Sequence, residues 1–167
     1  MREKRFKIND YVVCFVKNAF GAARKNKDYA KIIELKKIGN NYIVDLQLFS
    51  LDEKISCPLN QIRDIETSKF HLLNLGFEEK KLTKGALNYR KNDLVITHYL
   101  FGYWLGDIEN IDDNEMKKYI IDDKWNVAKF FKDFPTLYNV NDLFNVIKSN
   151  ENCIIDREKI ITSIPLI

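Results

Sequence analysis

Apolar and polar positions alternate with a period of two over much of the first 66 residues. In residues 42–49, Val44, Leu46 and Leu48 occupy alternate positions, a pattern typical of a half-buried strand. The Gly39-Asn40-Asn41 run separates this segment from an earlier β-rich run and predicts a hairpin. Four or five short strands without a helix predict a small, bent, SH3-like β-sheet.

From Thr67 onward the apolar period becomes helical, and short helices are mixed with further strands. Gly76 follows the first helical run at a position typical of a left-handed C-terminal cap. Asp112 is placed to cap a second helix, and Asn139 a third. The apolar pattern predicts strands at residues 77–82, 87–91, 94–101 and 124–131, and it makes residues 153–167 apolar enough to form one more.

These patterns predict an α+β fold: an N-terminal SH3-like bent β-sheet, then a mixed β-sheet with two or three short helices. The change of period near residue 66 divides the chain into a β-barrel-like lobe, 1–66, and an α+β lobe, 67–167. One continuous domain fits the same pattern, since no linker rich in proline or glycine marks a boundary.

Composition narrows the class of protein. Apolar residues make up 46% of the 167 residues, enough to build a core and to exclude a disordered chain. The net charge of +3 excludes a generally basic binder. The charge is nevertheless segregated: residues 1–37 carry +7, and residues 106–123 carry −5.

The basic charge surrounds a predicted loop after the first strand. Its candidate contact residues are Lys17, Arg24, Lys25, Lys27 and Lys31. A loop of this kind can contact phosphates, although a merely solvated loop has the same composition. With 21 lysines and only six arginines in the chain, any nucleic-acid contact is expected to be electrostatic and not sequence-specific.

The acidic charge and an aromatic pair offer two further candidate surfaces. The acidic candidates are Asp107, Glu109, Asp112, Asp113, Asp122 and Asp123. They could imitate phosphates toward a basic groove, or simply favour a helix N-terminus. Tyr103 and Trp104 lie near glycines at a predicted strand end, where an exposed aromatic side chain would anchor a partner.

Signatures of catalysis are sparse. The six glycines form neither a dinucleotide fingerprint nor a phosphate loop. The only histidines, His71 and His98, favour structural roles over a catalytic base. Asp64 with Glu78-x-Lys80 has the form of a metal-dependent nuclease site, but acid-x-Lys is frequent by chance in so charged a chain. We therefore predict no catalytic residues, no metal and no cofactor.

Three widely spaced cysteines predict no disulfide framework, and Cys14 and Cys57 have apolar neighbours typical of buried thiols. The apolar stretch 11–16 is too short for a signal peptide, and no run reaches the length of a membrane span. We expect a soluble, cytoplasmic protein.

Two segments resemble a family of small proteins carried by phages and prophages of Bacteroidota. Residues 65–68 with Leu72-Leu73-Asn-Leu-Gly76-Phe77 are similar to that family's Ile-Pro-Leu-Thr and Leu-Leu-x-x-Gly-Phe segments. Residues 137–147 resemble its closing helix, and residues 7–12 resemble the start of its small β-barrel. Glu66 and Tyr138 depart from it, standing where the family has proline and histidine. The resemblance implies a mobile-element setting in a bacterial host cell and supplies no catalytic residues.

Together these features lead to three hypotheses. The first is a non-enzymatic, phage-borne protein that binds, and thereby inhibits, a host protein or ribonucleoprotein effector, such as an RNA-guided defence nuclease. The second is a non-specific nucleic-acid binder that uses the basic loop at 17–31. The third is the metal-dependent nuclease. The sequence does not determine the oligomeric state.

Overall fold

The computed structural model describes residues 6–17, 25–50, 52–82, 85–100, 102–122, 124–150 and 156–166. The secondary structure is mixed α+β with antiparallel sheets of five and four strands, which confirms the predicted fold class. The chain divides into two units, one made of Met1–Glu66 with Asn139–Ile167 and the other of Thr67–Tyr138. The predicted seam near residue 66 coincides with one boundary, but residues 139–167, assigned from the sequence to the second lobe, belong to the first unit.

The strands of the first unit are β1 (Tyr11–Lys17), β2 (Lys25–Ile38), β3 (Asn41–Leu48), β4 (Lys54–Pro58) and β5 (Ile62–Asp64). Those of the second unit are β6 (Glu78–Lys81), β7 (Leu87–Lys91), β8 (Leu94–Tyr99), β9 (Gly102–Leu105), β10 (Ile120–Ile121) and β11 (Lys124–Trp125). The α-helices in the described segments are α1 (Lys69–Asn74), α2 (Asp113–Lys117), α3 (Val127–Phe130), α4 (Val140–Asn150) and α5 (Arg157–Thr162).

The sheet of the first unit has the order β4-β3-β2-β1-β5. The first half of β2 pairs with β1, its second half pairs with β3, and the register shifts between Ile32 and Glu34. A 3-10 turn, Leu59–Gln61, then returns the chain so that β5 pairs with β1. This is the strand order of the SH3-like sheet that the sequence predicts.

Alternate residues of this sheet form the core of the first unit. The buried cluster consists of Val12, Cys14, Ala30, Ile32, Val44, Leu46, Leu48, Cys57 and Ile62. Ile38 and Asn41 are paired across the predicted hairpin, and Gly39 at the turn has a φ of 62°. Each fully buried aliphatic side chain contributes about 1.5–3 kcal/mol of transfer free energy, so the alternating pattern fixes which face is inside.

Helices α4 and α5 complete the first unit. Val140, Leu143, Phe144 and Ile147 lie at helical spacing in α4 and are all buried. Asn139 accepts a hydrogen bond from the backbone N–H of Asp142 at 3.0 Å, which confirms the predicted cap. The tail 153–167 is apolar enough for a strand, but its residues Arg157–Thr162 form a helix. Asp156 accepts a hydrogen bond from the N–H of Lys159 and caps α5.

The second unit is organised around the sheet β6-β7-β8-β9 and an aromatic core. Gly76 has a φ of 90°, and Phe77 N–H donates to the carbonyl of Leu72, so α1 ends as predicted. Asp112 caps α2 through the N–H of Asn114. The core includes Ile108, Met116, Phe130 and Phe131, packed with Trp104, Trp125 and Phe134 among others.

The strand predicted over residues 124–131 is wrong. Only Lys124–Trp125 is extended, and α3 begins directly after Asn126. The side chain of Asn126 accepts a hydrogen bond from the N–H of Lys129 at 3.1 Å, so a helix cap interrupts the apolar run.

Candidate binding surface

The outer face of β1, β2 and β5 carries basic and aromatic side chains. Phe15 is paired in register with Lys27, Tyr11 with Lys31, and Val13 with Arg63 of β5. Because successive residues of a strand point to opposite faces, these positions lie opposite the buried Val12 and Cys14. We call Phe15, Lys27, Lys31 and Arg63 the basic face.

Each cation of the basic face lies over an aromatic ring. The guanidinium carbon of Arg63 is 4.7 Å from the Phe15 ring centroid, and Lys27 Nζ is 5.8 Å from the same centroid. Lys31 Nζ is 5.9 Å from the Tyr11 ring centroid. Contacts of this kind contribute about 0.5–1 kcal/mol at exposed sites. They hold the cations on the surface without neutralising their charge.

No carboxylate within the described ranges forms an ion pair with Lys31 or Arg63. The nearest carboxylate along β2, Asp28, is on the inner side of the sheet and buried. It accepts hydrogen bonds from the hydroxyl of Ser50 at 2.6 Å and from its backbone N–H. These hydrogen bonds engage the carboxylate of Asp28 on the opposite side of the sheet from the basic face.

The two ends of this outer face differ in exposure. At one end Tyr11 is buried, with its ring centroid 6.0 Å from that of Phe144 in an edge-on contact. Tyr29 is buried as well, and its hydroxyl donates to the carbonyl of Ile164 at 2.7 Å. Burial raises the pKa of both tyrosines. At the other end Phe15 is half-buried and Lys27 exposed, so this end presents the charge to solvent.

A cleft of about 450 Å³ is lined by residues from both ends, Lys27 and Tyr29 among them. It is lined by Lys27, Asp28, Tyr29, Phe49, Ser50, Thr162, Ile164, Pro165 and Leu166. The cleft is a mixed polar and aromatic depression, and Lys27 is one of its lining residues.

The structure brings together only some of the basic candidates. Lys27 and Lys31 belong to the basic face, and the backbones of Lys17 and Lys25 are paired where β1 and β2 end their ladder. Arg24 lies outside the described residues. Sequence reasoning missed Arg63, since its place beside Phe15 depends on the pairing of β5 with β1, some 50 residues earlier in the chain.

Asp107, the first of the acidic candidates, is held by internal partners. Its carboxylate accepts hydrogen bonds from Asn88 Nδ2 at 3.0 Å, from a guanidinium nitrogen of Arg90 at 2.9 Å and from the N–H of Glu109 at 2.8 Å. Partial burial alone would raise the pKa of Asp107. These hydrogen bonds and the charge of Arg90 outweigh burial, so its pKa is lowered.

The remaining acidic candidates differ in their partners and in their positions. Glu109 is paired with Lys80 and lies 3.9 Å from Arg90. Asp112 is exposed and caps α2, and Asp122 is exposed with a φ of 51°. The backbone of Asp113 begins α2, and Asp123 lies outside the described residues.

The two aromatic candidates pack inside the second unit. Tyr103 is buried and stacks on His98 with ring centroids 4.2 Å apart. Trp104 is half-buried and stacks on Phe131 at 4.1 Å with an interplanar angle of 9°. Both side chains therefore contribute to packing, and neither projects from the surface as an isolated anchor.

The nuclease candidates are distributed between the units. Asp64 belongs to the first unit, whereas Glu78 and Lys80 belong to β6 of the second. Lys80 is engaged by Glu109. In the part of the chain that the structure describes, no three His, Cys, Asp or Glu side chains are grouped so as to hold a metal ion.

No family model matches the chain, and neither the curated proteins nor the solved structures contain a match. In the described segments, none of the helices is long and apolar enough to span a bilayer.

Proposed function

We propose that the protein is a non-enzymatic binding protein that contacts nucleic acid through the basic face of its first unit. The observation that carries this proposal is the set of cations on one face of the sheet, with Lys27 and Arg63 over Phe15 and Lys31 over Tyr11. Among the described residues, Lys31 and Arg63 form no ion pair with a carboxylate. The phosphate groups of nucleic acids bind to positively charged surfaces of this kind. Such contacts do not depend on the base sequence.

The aromatic content of the face favours single strands over duplexes. Proteins that bind single strands combine a positive surface with aromatic rings against which bases can pack. Phe15 is half-buried on the face, and Phe49 lines the adjoining cleft. Three phosphate contacts would make the logarithm of the binding constant fall with the logarithm of the salt concentration with a slope of about −2.

A charge-reversal series tests this function. The variant Lys27→Glu/Lys31→Glu/Arg63→Glu is compared with Lys124→Glu/Lys129→Glu/Lys132→Glu, which makes the same change of charge at exposed lysines of the second unit. Fluorescence anisotropy with a labelled single-stranded oligonucleotide at low salt should show at least a tenfold loss of affinity for the first variant only. Equal losses of affinity in both variants would mean that binding depends on net charge alone. No binding of the oligonucleotide by the wild-type protein would exclude the nucleic-acid function.

A second candidate function follows from the exposed part of the acidic segment. Asp112 and Asp122 are exposed, and carboxylates at such positions could contact the basic nucleic-acid channel of a host effector, as in the inhibitor hypothesis. The resemblance to phage proteins is what favours an RNA-guided defence nuclease as that effector. Inhibition of target cleavage by the wild type, lost in Asp112→Lys/Asp122→Lys, would support this candidate, whereas cleavage unaffected by the wild type would exclude it.

A further inference from the structure

The second half of β2 has an open edge. Strand β1 pairs with β2 only as far as Lys31, and backbone hydrogen bonds between residues 9–10 and Ile32 end the contact on that side. Residues 34–38 pair with β3, and among the described residues no strand lies along their other side. We call residues 34–38 the β2 edge. This half of β2 is thus a sheet edge, although the strand lies centrally in the strand order.

The turn after β2 determines which backbone groups face the open side. Ile38 and Asn41 close a hairpin whose loop is two residues long. In such a hairpin the closing pair exchanges both backbone hydrogen bonds, and the direction of these groups alternates along the strand. The backbone N–H and C=O of Lys36 therefore face β3, whereas those of Leu35 and Lys37 face the open side. In the described part of the chain these outward groups have no backbone partner.

The side chains of the β2 edge are exposed and carry both signs of charge. Glu34 and Lys36 point to the same face of the strand, and Lys36 Nζ lies 3.5 Å from Glu34 Oε2. Ile33 and Ile38, on either side of them, are 40% and 62% exposed. Lysines on an edge strand discourage pairing with other chains. A neighbouring strand that places a carboxylate opposite the lysine removes this obstacle.

The order of the charges makes the β2 edge self-complementary in one register. When two copies pair antiparallel about Leu35, Glu34 of each copy lies directly opposite Lys36 of the other. The outward backbone groups of the two Leu35 residues then bond to each other. Pairing about Glu34, Lys36 or Lys37 would instead place two identical charges directly opposite, which destabilises a sheet. Of these registers, the one about Leu35 alone matches opposite charges.

We propose that the β2 edge binds the β2 edge of a second copy, antiparallel and about Leu35, so that two five-stranded sheets become one continuous sheet. The proposal is independent of the nucleic-acid function, since the residues of the basic face lie outside the β2 edge. A contact between two short strand segments buries little surface, so the dimer should dissociate on dilution.

Analytical ultracentrifugation of the full chain over a range of protein concentrations tests the pairing. We expect the average mass to rise from that of one chain toward that of two. Glu34→Lys puts a lysine opposite Lys36 of the second copy and should weaken the dimer roughly tenfold or more. Glu53→Lys makes the same change of charge at an exposed position outside the β2 edge and should leave the dimer unchanged.

Disulfide trapping tests the register independently. In an antiparallel pair, opposite residues that do not share backbone hydrogen bonds have Cα atoms about 4.5 Å apart, within the range of a disulfide. Under oxidation, a mixture of the Glu34→Cys and Lys36→Cys proteins should form a covalent dimer, and each variant alone should form much less. The native cysteines are present in all three samples and give the background.

Three results would overturn the proposal. The first is a wild-type protein that stays monomeric at the highest concentration reached. The second is a dimer whose affinity is the same in Glu34→Lys as in Glu53→Lys, which would place the contact elsewhere on the molecule. The third is a mixture of the two cysteine variants that cross-links no more than either variant alone.

Discussion

His71 is a buried imidazole whose protonation is controlled by its surroundings. Its ring is 2% exposed, and Nδ1 accepts a hydrogen bond from the N–H of Ser68 at 3.0 Å. With Nδ1 as an acceptor, the neutral ring carries its proton on Nε2, which has no partner within the described residues. Burial lowers the pKa of His71 to about 4. The side chain therefore acts as a structural cap for α1 that functions in its neutral form.

The depressed pKa of His71 predicts a pH-dependent stability. The unfolded chain binds a proton at this histidine below its ordinary pKa of 6.5, whereas the folded protein does so only below about 4. The free energy of unfolding should thus be highest above pH 6.5 and fall as the pH drops toward 4, by up to about 3 kcal/mol. Urea unfolding across this window measures the effect.

His71→Gln should remove most of this pH dependence, and the matched change His98→Gln should leave it in place. A wild-type unfolding free energy that does not change between pH 6.5 and 4 would contradict the assignment. The same conclusion would follow from an unchanged slope in His71→Gln.

Asn141 connects α4 to the first strand of the sheet. Its side-chain oxygen accepts from the N–H of Tyr11 at 2.8 Å, and its side-chain nitrogen donates to the carbonyl of Tyr11 at 2.9 Å. One amide side chain thus satisfies both backbone groups of a buried residue beyond the point where β5 pairs with β1. The interaction ties α4 to the first strand of the first unit.

We predict that Asn141→Ala destabilises the protein by about 2 kcal/mol, because both backbone groups of Tyr11 lose their partner in a buried position. Asn145→Ala, at an exposed position on the same helix, should change stability by less than about 0.5 kcal/mol. Chemical denaturation of the two variants in parallel checks this. Equal effects would show that the Asn141 clamp adds nothing beyond helix propensity.

The elements that could be predicted from the sequence are those whose signals are local. Alternation in β3, the Gly39 turn, the Gly76 cap and the period of α4 all lie within a few residues, and the structure confirms them. The strand prediction for residues 124–131 is wrong because a short apolar stretch fits a strand or a helix equally well. The cap at Asn126 decides in favour of a helix. The contacts of Asn141 and Arg63 depend on the pairing of distant segments, which no local pattern shows.

The charged residues are divided unequally between the two units of the molecule. The second unit holds eleven basic and eleven acidic residues, and the first holds sixteen basic and thirteen acidic ones. The acidic segment is partly neutralised within its own unit, where Asp107 and Glu109 pair with Arg90 and Lys80. The entire net charge of +3 thus belongs to the unit that carries the basic face.

Backbone amide NMR is the most direct test of whether an anionic strand binds at the basic face. A single-stranded oligonucleotide is titrated into isotopically labelled protein at low salt while amide shifts are followed. We predict that the largest shift changes fall in β1, in residues 25–31 of β2 and in β5, and that added salt reverses them. Changes concentrated in residues 107–122, or none at saturating oligonucleotide, would show that the strand does not bind at the basic face.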